Sequence, residues 1–130
     1  MAVRGDTLIV AESYAGNLSA FDIGPDGALS GRRVWAHVEG SAPDGICLET
    51  DGTVWYADVP NKRCVRVAEG GAVLDTVEAD RGCFACARGG PDGRTLFITA
   101  AEWGPEAGER TGVVYAVDLS VRASTSNAAG

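Results

Sequence analysis

Ala42-Pro43-Asp44-Gly45-Ile46-Cys47-Leu48-Glu49-Thr50-Asp51-Gly52-Thr53-Val54-Trp55-Tyr56-Ala57-Asp58 reads as turn, strand, turn, strand. Pro43-Asp44-Gly45 carries turn residues. Residues 46–50 form a short apolar run. Asp51-Gly52 predicts a two-residue hairpin turn of type I′, because both residues tolerate positive φ. Residues 53–57 are β-branched and aromatic, which suits a strand. The same unit recurs on either side. Thr7-Leu8-Ile9-Val10-Ala11 and Thr95-Leu96-Phe97-Ile98-Thr99 align with Thr53-Val54-Trp55-Tyr56-Ala57, at spacings of roughly 40 to 50 residues. Strands beginning at Asn17, Arg63 and Gly112 follow in the same order. Short strands repeating at this period are the signature of propeller blades. Helical repeats of similar period are excluded, because the segments are too short and too β-branched.

The predicted middle unit has four strands, at residues 46–50, 53–57, 64–67 and 73–77. Only Met1 to Asp6 precede Thr7, so the first unit is predicted to begin at its second strand and to continue through residues 17–23 and 32–38. The third has three strands, at residues 83–87, 95–99 and 112–118. The expected fold class is therefore all-β, a partial propeller of about two and a half blades. The propeller fragment is assigned to residues 1–119. Residues 120–130, rich in Ser, Ala, Asn and Gly, are expected to form a flexible tail.

A chain of 130 residues is enough for one domain with a modest core. Hydrophobic content of 45% with 22% charged residues is ordinary for a soluble globular protein. Eighteen glycines and few long helical patterns agree with a turn-rich β fold. The net charge of −7 argues against nucleic acid or an anionic membrane as partner, since both select basic patches. No run approaches the length of a membrane-crossing helix, and Met1-Ala2-Val3-Arg4-Gly5-Asp6 leads straight into a strand without a signal-peptide pattern. The expected location is the cytoplasm. Cys83-Phe84-Ala85-Cys86 has CxxC spacing but lies inside a strand pattern. Strand alternation predicts opposite faces for Cys83 and Cys86, which prevents a shared metal, so these residues, like Cys47 and Cys64, are expected to be small core residues. His37 is expected to be structural or exposed. Trp35 and Trp55 are expected to pack between sheets. Glu102 and Trp103 open a polar loop that could reach the mouth of the propeller channel.

Ser41-Ala42-Pro43-Asp44-Gly45-Ile46-Cys47-Leu48, preceded by Gly31-Arg32-Arg33-Val34-Trp35 and by Tyr14-Ala15-Gly16-Asn17-Leu18-Ser19-Ala20-Phe21-Asp22-Ile23, resembles the gluconolactonase, senescence-marker-protein and luciferin-regenerating-enzyme family. Val54-Trp55-Tyr56-Ala57, Val65-Arg66-Val67 and Thr95-Leu96-Phe97-Ile98-Thr99 continue the likeness, which is to the C-terminal portion of the family's length. The resemblance implies a six-bladed β-propeller, a divalent metal (calcium or zinc) near the axis, and hydrolysis of small-molecule sugar lactones or related esters. In the family the metal is held by a glutamate near the N-terminus, an asparagine in a middle blade and the aspartate of a Pro-Asp-Gly block. Only the aspartate has a counterpart here, Asp44, and the other two would lie upstream of the residues present. Asp44 is thus the candidate metal ligand and, as the proton-handling group, the candidate catalytic residue. Pro25-Asp26-Gly27 and Pro91-Asp92-Gly93 read as plain surface turns. A hard cation takes oxygen ligands, and a carboxylate beside an attacking water can accept its proton. The expectation is a truncated hydrolase that lacks most of its active site and is inactive by itself. The alternative reading is a non-catalytic interaction or structural module. Exposed blade edges predict self-association.

Overall fold

The computed structural model describes residues 1–121, and residues 122–130, most of the expected tail, lie outside the described residues. The chain runs as an antiparallel meander through three sheets. The first contains β1 (Ala2–Arg4), β2 (Thr7–Glu12), β3 (Asn17–Ile23) and β4 (Leu29–His37). The second, in the middle, contains β5 (Pro43–Leu48), β6 (Val54–Asp58), β7 (Arg63–Val67) and β8 (Val73–Glu78). The third contains β9 (Gly82–Gly89), β10 (Thr95–Ala101) and β11 (Val113–Asp118). A single 3₁₀ turn, Leu119–Val121, follows, so the described part of the expected tail begins inside it, with the Ser120 amide donating to Asp118 at 2.9 Å.

Two expectations about strands are corrected. The first sheet has a four-strand complement, because Ala2, Val3 and Arg4 pair with Ile9, Leu8 and Thr7. Three residues are too few for alternation to register in a sequence pattern, and their pairing depends on the tight turn at Gly5, whose φ is 57°. The hairpin between β5 and β6 is not a two-residue I′ turn. Gly52 donates to the Glu49 carbonyl at 3.1 Å and Glu49 to that of Thr53 at 2.8 Å. Gly52 has φ 88°, while Asp51 is not among the positive-φ residues. This is a longer loop with one left-handed position. Asp51 serves instead as an acceptor, taking the Thr53 amide at 2.9 Å and its hydroxyl at 2.7 Å.

The sheets stack face to face. β5 packs on β1 and β2, and β9 packs on β5 and β6. Between the first and middle sheets Ile9, Leu18, Ala20 and Ala36 meet Val54, Tyr56, Val65 and Val67. Between the middle and third sheets Trp55, Ala57, Cys64 and Val77 meet Cys86, Leu96, Ile98 and Ala100. Every residue of β6 is consequently buried, whereas β10 alternates buried and exposed positions because only one of its faces is covered. Trp35 and Trp55 are both buried in these layers.

The opposite-face expectation for Cys83 and Cys86 is also corrected. β9 carries a register shift, with Ala85 opposite Thr99 and Cys83 opposite Ala100. The extra residue, Phe84, restores the parity, so both thiols enter one core together with Cys64. Cys47 lies at their edge, its Sγ 3.7 Å from that of Cys86. All four cysteines are free. Hydrogen bonding to a neighbouring thiol and burial hold Cys47 and Cys64 protonated, well above the ordinary thiol range.

Pro43-Asp44-Gly45 is not a free turn but the first half of β5, and its register against β6 breaks between Pro43 and Ile46. Gly45 is outside the left-handed region. Its role is contact: an added Cβ would lie 2.7 Å from the Ala85 Cα and 2.8 Å from the Phe84 carbonyl oxygen of β9. Gly45→Ala is expected to destabilise the fold by roughly 1–3 kcal/mol, as overpacking against backbone does. Urea unfolding checks this, with Gly27→Ala, which meets nothing within 4 Å, reporting the cost of positive φ alone.

Candidate functional site

Asp44 sits at the entry of β5, within the break in register between Pro43 and Ile46. Such a bulge re-aims a side chain out of the regular pleat. Its neighbour Pro43 is buried while Asp44 is exposed. Among the described residues its carboxylate takes part in no side-chain hydrogen bond or ion pair.

What holds Asp44 in place is a second carboxylate that sequence reasoning did not single out. Asp58, the last residue of β6, is completely buried. Its Oδ1 accepts the Ala42 amide at 3.1 Å. Its Oδ2 accepts Asn61 Nδ2 at 2.8 Å and Arg63 Nε at 2.9 Å. Arg63 Nη2 donates to Ser41 Oγ at 3.0 Å, and Ser41 lies 2.9 Å from the Tyr56 hydroxyl. Asn61 also donates to the Gly40 carbonyl at 2.8 Å, and Ser13 donates to the Pro43 carbonyl at 2.6 Å. Residues 40–43 are thereby strapped to the ends of β6 and β7 just before Asp44. Burial pushes the Asp58 carboxyl up. The bonds from Asn61, Ala42 and Arg63 outweigh that and hold it below the ordinary carboxylate range. Burial likewise raises the Tyr56 phenol. The spacing Asp58-Val59-Pro60-Asn61-Lys62-Arg63 is the only local signal of this hub, and it reads equally well as a strand end and a turn.

The other candidates lie around the same end. His37 is exposed, and its Nδ1 is 2.8 Å from Asn17 Oδ1. Glu102 and Trp103 line an open cleft of about 460 Å³ with Lys62, Asp80, Arg81 and Glu106. Trp103 is exposed there, while Glu102 accepts the Gly108 amide at 3.1 Å and so shapes its own loop. Asp44 is not part of that cleft lining. Asp26 and Asp92, of the two other Pro-Asp-Gly blocks, accept the amides of Ala28 and Arg94 at 3.0 Å each, as turn residues do.

Among the described residues no three His, Cys, Asp or Glu side chains gather so as to hold a metal ion. Asp44 is one free carboxylate, and calcium or zinc takes at least four donors. The residues described do not by themselves fit a divalent metal.

Three antiparallel sheets in meander order, stacked face to face, define a propeller-type β protein. Residues 3–102 match the SMP-30/gluconolactonase/LRE-like region. The chain belongs to this family. It is 36% identical over 102 residues to regucalcin of Danio rerio, covering 74% of this chain and 34% of that protein. It is 33% identical over 95 residues to 6-deoxy-6-sulfogluconolactonase of Pseudomonas putida, covering 68% and 33%. The chain thus spans about a third of the length of these relatives. A solved luciferin-regenerating enzyme superposes with a TM-score of 0.74 at 22% identity, over 85% of this chain and 40% of that one, a likeness of fold.

The Asp58 hub generates a prediction. Asp58→Ala leaves Arg63 without its buried carboxylate partner and frees the 40–43 strap, and is expected to cost about 3 kcal/mol. Because the folded pKa of Asp58 is lowered below its unfolded value of about 3.9, its contribution is complete above that value. It is lost as pH falls through the folded pKa. Acid unfolding followed by circular dichroism is expected to fall more steeply below about pH 4 in the wild type than in Asp58→Asn.

Proposed function

We propose that this chain is the part of a lactone- or ester-hydrolysing propeller of the family that supplies the acidic group Asp44 to the site. The supporting observation is the contrast between the two carboxylates: Asp58 has both oxygens occupied inside the fold, while Asp44, next to Pro43, the strand partner of Asp58, is exposed and has no side-chain partner among the described residues. An exposed carboxylate held ready by a strap is suited to act on something outside the chain. In a lactone opening, Asp44 would accept a proton from the water whose oxygen attacks the acyl carbon. The bond from that carbon to the ring oxygen breaks, and the departing alkoxide takes up a proton, giving the open hydroxy acid. The name of the Pseudomonas putida relative, a sulfogluconolactonase, supports a sugar lactone as the substrate class. Asp44 would also be the single ligand that this segment offers to a divalent metal, with the remaining donors coming from outside it. Four free cysteines suit a reducing compartment, which supports a cytoplasmic setting.

The test places this segment where the matching residues stand in a lactonase of the family. Such a chimaera is expected to open sugar lactones, followed by pH-stat. Asp44→Asn within it is expected to lower kcat about a hundredfold, the scale of a lost proton acceptor. A folded chimaera whose activity is unchanged by Asp44→Asn would remove Asp44 from the chemistry.

A further inference from the structure

The layer between the middle and third sheets holds a line of four thiols. Cys47 of β5 donates to Cys86 of β9, their sulfurs 3.7 Å apart. Cys64 of β7 shares side-chain hydrogen bonds with Cys83 and Cys86. Burial is graded along this line. Cys64 and Cys83 are sealed at 0% exposure and Cys86 stands at 9%, while Cys47 is only half-buried. A small oxidant therefore meets the line at its Cys47–Cys86 end. The strands that carry this pair run in contact: a Cβ on Gly45, two residues before Cys47, would lie 2.7 Å from the Cα of Ala85, the residue before Cys86. Strands in such contact suit a disulfide, which spans only roughly 4.4–6.8 Å between Cα atoms.

We propose that Cys47 and Cys86 are an oxidation site, at which hydrogen peroxide converts the two thiols into a disulfide that locks β5 to β9. Bonds received from Cys47 and Cys64 lower the Cys86 thiol, which makes its sulfur the nucleophile. That sulfur attacks one peroxide oxygen, and the O–O bond breaks. The departing hydroxide takes the Cys86 proton and leaves as water, and Cys86 becomes a sulfenic acid. The Cys47 sulfur then attacks the Cys86 sulfur, and the S–O bond breaks. This second hydroxide takes the Cys47 proton and leaves as water. The two sulfurs together lose two electrons, and the peroxide is reduced to two waters. The new bond ties the strand that carries Asp44 to the neighbouring sheet. It lies in a layer closed by two sheets of this chain, and it does not rest on the hydrolytic reading of Asp44.

The test treats the 130-residue chain with hydrogen peroxide, caps the remaining thiols with N-ethylmaleimide in urea, and measures the mass. Four caps are expected on the reduced chain, two after peroxide, and four again after dithiothreitol. Trypsin cuts after Arg33, Lys62, Arg81 and Arg88, so the disulfide is expected to join residues 34–62 to residues 82–88, with a cap on Cys83. Cys47→Ala is expected to keep its three thiols at the same dose, whereas Cys64→Ala is expected to lose two of its three. The oxidised chain is expected to unfold at higher urea than the reduced one, because a cross-link restricts the unfolded chain, and dithiothreitol is expected to reverse the shift. Four caps at a dose that oxidises the urea-unfolded chain would overturn the proposal. So would a disulfide that maps to Cys64 or Cys83, a Cys47→Ala chain that loses thiols as readily as the wild type, or an oxidised chain that unfolds at lower urea.

Discussion

The middle sheet is packed on both of its faces, and the rest of the molecule follows from that. Val54 and Tyr56 of β6 lie against the first sheet while Trp55 and Ala57 lie against the third, so the strand has no solvent side. A polar group at its end must therefore be satisfied internally or not be there. Asp58 meets that condition with three donors on two oxygens. Because one of those donors is the Ala42 amide and another, Arg63, also grips Ser41, satisfying the buried carboxylate also fixes the chain just before β5. The exposed position of Asp44 is thus tied to hydrophobic packing through a buried hydrogen-bond hub, and the order of dependence runs from core to hub to strap to Asp44.

The close approach of β5 and β9 adds a second constraint at the same place. Gly45 admits the Ala85 backbone because it has no Cβ. The Pro-Asp-Gly block therefore joins three separate demands: a buried Pro43, an outward Asp44 and a Gly45 that makes room for the next sheet. The two outer sheets show what happens where the stacking stops. β10 alternates buried and exposed positions where β6 is buried throughout, and on the first sheet Ser19 is covered by its bond to Glu12, which Arg32 pairs.

Much of the architecture was legible locally. β2 and β3 fall where the sequence places them, because an amphipathic or apolar run bounded by turn residues leaves few other pairings. The departures each have a non-local cause. β1 forms because Val3 finds Leu8, a pairing that three residues cannot announce. Cys83 and Cys86 share a core because Phe84 is an extra residue in the ladder, and a bulge inverts every inference drawn from strict alternation. Trp35 behaves similarly: β4 skips a register step between Val34 and Ala36, so Trp35 and Ala36 enter the same layer. Of the candidate site, resemblance marks Asp44, whereas Asp58, Asn61 and Arg63 carry no such mark, since as a local string they are a strand end and a turn.

By itself, then, the sequence determined the period of the repeat, the antiparallel strand order within each unit, the all-β class and the one carboxylate that resemblance marks out. These are properties of short stretches, encoded by alternation, β-branching and turn residues within a few positions of one another. Only the tertiary structure decided which face each cysteine occupies, why Gly45 is glycine, what anchors residues 40–43 and which sheet faces remain open. Those depend on groups far apart in the chain, Ala42 with Asp58 and Gly45 with Ala85, brought together by the register of strands and the stacking of sheets, and no local pattern carries that distance.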